Sequence, residues 1–148
     1  MKKIHFAFDK TSKVDKSKGD ILKFYKNYKP KQCDVIVVLG GDGFMLQSLK
    51  KLYKFKKPFY GMNKGTFGFL MNKYKANKLY KRLSKAKKVV ISPLEMKVVT
   101  KTNSKITAIA INEISLLRQS RQAAYLQIRT TKKNIIKKLI CDGVLVST

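Results

Sequence analysis

VIVVLGGDGFMLQSL, residues 35–49, decides the fold of this chain. Val35–Leu39 is apolar at every position and rich in β-branched residues, the composition of a parallel strand covered on both faces. Gly40-Gly41-Asp42-Gly43 breaks that run. Beyond it Met45, Leu46, Leu49, Leu52 and Tyr53 recur at helical spacing, so Phe44–Phe55 is predicted as a helix. A buried strand, a glycine-rich turn and a helix in immediate succession form the first half of a βαβ unit.

The flanking segments extend the alternation. Ile4–Phe8 reads as a strand. Asp20–Tyr28 carries Ile21, Leu22, Phe24, Tyr25 and Tyr28 at helical spacing and ends before Pro30. Phe59–Met62 reads as a third strand leading into the glycine loop NKGTFGF, and Lys75–Lys85 as a helix with Leu79, Tyr80 and Leu83 inward. From Val89 the texture changes. VVISP, MKVVT, ITAIAI, EISLL, YLQIRT, NIIKKLIC and VLVS follow one another at short intervals, with turn residues and no helical pattern between them. The fold class is therefore α/β: a Rossmann-like parallel α/β domain over residues 1–88, then the beginning of an antiparallel β domain over residues 89–148. Roughly 60 residues are marginal for closing a sandwich, and the strand-like run Val144–Ser147 stops with the chain. The sequence is expected to be cut within that second domain.

Ligands of open parallel sheets bind beyond the carboxyl ends of the strands, which is where GGDG falls. Glycines let a ligand approach the main chain, and the start of the following helix favours phosphate. Two readings fit Asp42. It is either part of a plain Asp-Gly turn, or a carboxylate that takes a hydroxyl proton or holds a metal beside a bound phosphate. The loop is not a Walker A motif, because no Gly-Lys-Ser/Thr follows. Acids are scarce, 8 in all, and Asp9, Asp15, Asp20 and Asp34 lie in polar surroundings. Asp42, Glu113 in AIAINEISLL and Asp142 in KLICDGVLVS instead interrupt apolar runs. A charge in such a context is costly unless paired, bonded or used. Asn112-Glu113 and Asp142-Gly143 each fit a strand-end turn, but the three interruptions together point toward a shared polar site.

The chain carries 34 basic residues and a net charge of +26. Lysines are spread along its whole length, and arginine occurs only as Arg82, Arg118, Arg121 and Arg129. That distribution attracts anionic substrates without marking a specific nucleic-acid surface. Cys33 and Cys141 belong to no metal-ligating pattern and read as small hydrophobes of a reducing compartment. His5 reads as a packed strand residue. Asp9 ends the first apolar run too early for a signal sequence, and no run is long enough to span a membrane, so a cytoplasmic protein is expected.

Four blocks occur in order: GGDG at Gly40–Gly43, YGMNKGTFGFLMN at Tyr60–Asn72, INEISLLRQSRQAA at Ile111–Ala124 and CDGVLVST at Cys141–Thr148. Together they resemble the NAD kinase family, and the GMN…GFLMN and LLRQ…QAA forms resemble one bacterial branch of it. The resemblance implies two domains with NAD bound between them, usually as a homodimer or tetramer. It implies phosphoryl transfer from ATP, or polyphosphate in some members, to the 2′-hydroxyl of the adenosine ribose of NAD, with a divalent cation such as Mg2+. Asp42 matches the family's proton acceptor, and Gly43 the glycine beside it. Asn112, Glu113 and Asp142 match residues that hold the dinucleotide, and Phe69 lies where the family's Gly-Phe step lines the substrate pocket. Where some members carry histidine in this loop the chain has Thr66, so no role transfers there. Lys64, Arg118 and Arg121 are candidates for phosphate contacts or for plain solvated positions. The family continues into a Pro-x-Gly-Ser-Thr-Ala-Tyr block that this sequence lacks, so the resemblance also implies a fragment with little or no activity of its own. Two rivals stand beside it: a diacylglycerol-type lipid kinase, which shares a GGDG-like loop, and a non-catalytic protein binding nucleic acid or other polyanions through its lysines.

Overall fold

The computed structural model describes residues 2–65 and 68–148, so Thr66 lies outside the described residues. The chain divides into two compact units, Met1–Val90 and Ile91–Thr148. No helix or strand occupies residues 86–93, around the division.

In the first unit the order is β1 (Ile4–Phe8), α1 (Ser12–Phe24), β2 (Val35–Gly40), α2 (Asp42–Leu52), β3 (Phe59–Asn63), β4 (Asn72–Lys73) and α3 (Leu79–Lys85). The four strands make one parallel sheet in sequence order. β2 runs through its middle with all six residues buried, which is what an unbroken apolar strand requires. Its residues alternate between two cores. Val35, Val37 and Leu39 join Ile4, Phe6 and Met62 beneath Val14 and Ile21 of α1 and Leu79 and Leu83 of α3. Ile36 and Val38 join Cys33 and Met45, with Phe44, Leu49 and Leu52 of α2 packed against them. Helices thus cover both faces, and the carboxyl ends of β2 and β3 carry the two glycine loops.

Several boundaries differ from the sequence reading. α1 begins eight residues before Asp20 and ends at Phe24. Its inward residues are Val14, Ser17 and Ile21, all buried, a helical spacing diluted by the polar residues around it. Tyr28 lies beyond the helix and donates its N–H to the Ile4 carbonyl at 2.9 Å, holding the chain beside β1. α2 begins at Asp42 rather than Phe44 and gives way to a 3-10 turn over Tyr53–Phe55. α3 is shorter than predicted: Lys78 precedes it in the left-handed region, and the Tyr25 hydroxyl accepts the Leu79 N–H at 2.9 Å. The two-residue β4 was too short to carry a pattern.

The second unit holds β5 (Leu94–Val99), β6 (Lys105–Ala110), β7 (Glu113–Leu117), β8 (Ala124–Arg129), β9 (Asn134–Cys141) and β10 (Gly143–Ser147). They pair antiparallel as β5–β6, β8–β9 and β7–β10. Ala110 is the one hydrophobic residue of this unit that is buried among those described. Leu116, Leu117, Tyr125, Ile140, Leu145 and Val146 are all more than half exposed.

The two cysteines differ in access. Cys33 is buried, its thiol directed at the Pro30 carbonyl at 3.2 Å, and burial pushes its pKa up. Cys141 is partly exposed. Because the thiolate is the nucleophile, a maleimide is expected to modify Cys141 in the native protein and to reach Cys33 only after urea unfolding. Mass mapping of the labelled peptides reads this directly, and equal labelling of the two would contradict the burial of Cys33.

Candidate active site

The site forms where β2 ends. Gly40 is the last residue of that strand, and a Cβ there would meet Phe44 Cδ1 at 2.9 Å and Asp9 Cβ at 3.0 Å. Only glycine lets the end of β1 and the first turn of α2 close on the strand this tightly. Gly41 is the extended N-cap residue, and Asp42 opens α2. A carboxylate in the first turn is favoured by the positive end of the helix dipole.

The Asp42 side chain turns to the neighbouring loop. Oδ2 accepts the Phe69 N–H at 2.7 Å and Oδ1 accepts the Leu70 N–H at 3.1 Å. Gly68 makes this possible, since a Cβ there would stand 2.7 Å from Asp42 Oδ1. The other end of the same loop is tied to the end of β2 by the Lys64 N–H on the Gly40 carbonyl at 2.9 Å. The two glycine loops therefore form one structure, with Asp42 half-buried between them. The Lys64 ammonium lies 4.0 Å from the ring centre of Tyr74, in cation–π range. Burial pushes the pKa of that phenol up, and its hydroxyl donates to the Ser17 carbonyl at 3.3 Å.

Gly43 follows Asp42 in the first turn of α2. Phe69 presents its backbone N–H to Asp42, and the residue as a whole is 89% exposed. Asn112 directly precedes β7, and its carbonyl accepts the Thr148 N–H at 2.9 Å. Glu113 is the first residue of β7 and sits opposite Ser147. Asp142 lies in the bend between β9 and β10, next to the Gly143–Leu117 pair. Glu113 and Asp142 are thus at opposite ends of the β7–β10 ladder, roughly 14 Å of strand apart. The side chain of Asp142 accepts Arg118 Nε at 2.5 Å, and the same guanidinium donates to the Ser120 carbonyl. Arg118 is thereby a structural partner of Asp142 rather than a solvated cation.

That ion pair is mostly in water: the Asp142 side chain is 73% exposed. Asp142→Ala is expected to change unfolding free energy by less than about 1 kcal/mol, read from urea titration. A larger loss would mean that Asp142 holds more of the β7–β10 ladder than the ion pair.

Sequence reasoning singled out Asp42 but missed its partners. Phe69 and Leu70 act on it through main-chain N–H groups, which side-chain identity cannot announce. The available signal was Gly68, a second glycine inside an aromatic loop, marking close approach of something to the backbone.

Comparison with known proteins settles the kinship. The profile of the ATP-NAD kinase N-terminal domain matches residues 1–90, more than half of the chain. This chain belongs to the NAD kinase family. It is 41% identical over 143 residues to the NAD kinase of Rhizobium meliloti, covering 97% of this chain and 56% of that protein. It is 43% identical over 140 residues to the NAD kinase of Zymomonas mobilis, covering 93% of this chain and 54% of that protein. The chain thus spans about half the length of the NAD kinases it matches. Among solved structures, an NAD kinase from Archaeoglobus fulgidus in complex with ATP superposes with a TM-score of 0.68 at 22% identity, over 98% of this chain and 60% of that one. Yeast NADH kinase complexed with NADH superposes with a TM-score of 0.78 at 20% identity, over 99% and 57%. At those identities the likeness speaks for the fold, a parallel α/β unit followed by antiparallel strands.

Proposed function

We propose that the protein carrying this chain transfers a phosphoryl group from ATP to the 2′-hydroxyl of the adenosine ribose of NAD, giving NADP and ADP, with Asp42 taking the hydroxyl proton. The supporting observation is the way Asp42 is held. Its carboxylate is fixed by two amide donors at the carboxyl end of a parallel sheet and in the first turn of a helix. A carboxylate offers about four acceptor positions, so two remain for a hydroxyl. Phosphoryl transfer passes through a loose transition state and needs alignment more than a strong base. An oriented aspartate can therefore hold the hydroxyl in line and accept its proton as the new P–O bond forms. The first N–H groups of α2 have no acceptor within the helix and favour phosphate charge beside Asp42.

Among the described residues no three histidine, cysteine, aspartate or glutamate side chains come together. Mg2+ is taken to arrive as part of the ATP substrate, held by phosphate oxygens and water. Asn112, Glu113, Asp142 and the Gly43 backbone are proposed to hold the dinucleotide, with Phe69 against it. A homo-oligomer and a cytoplasmic location belong to the same reading. No described helix is long and apolar enough to cross a membrane. The test is incubation of the whole protein with NAD, ATP and Mg2+, followed with an NADP-specific dehydrogenase. Steady NADP accumulation is expected, whereas phosphorylation of diacylglycerol without NADP would favour the lipid kinase.

A further inference from the structure

We infer that Asn63 is the positioning residue for Asp42, acting through the loop that grips the carboxylate; this rests on the proton-acceptor reading of Asp42. Asn63 ends β3 and is half-buried. Its Oδ1 accepts the Gly65 N–H at 2.7 Å, fixing the entry of the loop just after Lys64 is tied to Gly40. The other end of the same amide reaches the loop's exit: a Cβ built on Gly68 would lie 3.5 Å from Asn63 Nδ2 and 2.7 Å from Asp42 Oδ1. One planar side chain therefore binds the loop's entry and stands close to its exit, where its amide and the Asp42 carboxylate both border the space that a Gly68 side chain would fill. A Cβ on Gly65 would stand 3.3 Å from Asn63 Oδ1 and 3.5 Å from Gly41 Cα, so the entry is also packed onto the GGDG backbone. Without the Asn63 amide the entry loses its hydrogen bond. The Phe69 and Leu70 amides then no longer have a fixed position from which to aim Asp42.

Misplacing a reacting group by about 1 Å costs on the order of 10²-fold in rate. In the whole protein, Asn63→Ala is expected to lower kcat by 10- to 100-fold, with KM for NAD and for ATP unchanged within about threefold. Faster amide hydrogen exchange at Gly65, Phe69 and Leu70 should accompany it. Asn63→Ser, whose hydroxyl can accept the same N–H in a similar turn, should recover part of both signals. Unchanged kcat in Asn63→Ala, or unchanged exchange at Phe69 and Leu70, would overturn the inference. Absence of NADP formation by the unsubstituted protein would instead sink the reading of the reaction, and the exchange comparison would still decide whether Asn63 holds the loop.

Discussion

In the whole protein, replacing Asp42 with asparagine is expected to lower the proposed turnover of NAD to NADP by about 10²–10⁴-fold, the range for loss of a positioned proton acceptor. Affinity for NAD should change only a few-fold. The asymmetry follows from what the amide can and cannot do. Asparagine is nearly isosteric and keeps one acceptor oxygen, so one of the Phe69 and Leu70 N–H groups retains its partner. The other then faces an NH2 group, but both bonds lie in exposed parts of the loop, where water can replace a lost acceptor. A net hydrogen bond is worth about 0.5–1.5 kcal/mol, so the loop loosens without the unit unfolding. No proton can be taken from a hydroxyl by the amide nitrogen, and catalysis falls accordingly. Steady-state kinetics with a calorimetric Kd for NAD separates the two effects. Equal turnover in the two proteins would remove Asp42 from the chemistry.

Leu39→Ala is expected to destabilise the first unit by about 2–5 kcal/mol, the range for truncating a buried leucine. Leu39 is completely buried in the middle strand, against Phe6 and Met62 and the inward residues of α1 and α3. Its neighbours belong to a hydrogen-bonded sheet and cannot collapse into the space. A domain's whole stability is about 5–15 kcal/mol, so such a loss is a large fraction of it. The urea midpoint of the β1–β3 amides, followed by hydrogen exchange, should fall sharply, while Leu22→Ala on the outer side of α1 should move it little. A shift for Leu39→Ala no larger than for Leu22→Ala would contradict the placement of the core.

The fold was legible wherever one physical requirement dominated a segment. Val35–Leu39 had to be a strand buried on both faces, and β2 is one. β1 and β3 were equally plain. Where burial and polarity mix, the pattern weakens. Val14, Ser17 and Ile21 line one face of α1, but the surrounding lysines, aspartate and glycine hid its first two turns. Tyr28 looked helical, yet its N–H is used by β1. In the candidate site, sequence could find the acid but not the hand that holds it. Asp42 stood out because a carboxylate is expensive in an apolar run. The Phe69 and Leu70 amides leave no such trace, because hydrogen-bonding backbone is present at nearly every position, and the Asn63 side chain is an uncharged polar group in a polar loop, where nothing marks it as costly. Glu113 and Asp142 stood out for the same reason as Asp42. Their places at opposite ends of the β7–β10 ladder depend on register, which residue spacing alone does not set.

Asp42 is proposed to act on one particular hydroxyl. The most direct measurement follows radiolabelled γ-phosphate from ATP, with the whole protein, into NAD and into analogues lacking either the 2′- or the 3′-hydroxyl of the adenosine ribose. Label should enter NAD and the 3′-deoxy analogue, fail to enter the 2′-deoxy analogue, and enter the first two about 10²–10⁴-fold more slowly in the Asp42→Asn protein. Label in the 2′-deoxy analogue, or undiminished transfer by Asp42→Asn, would contradict that role of Asp42.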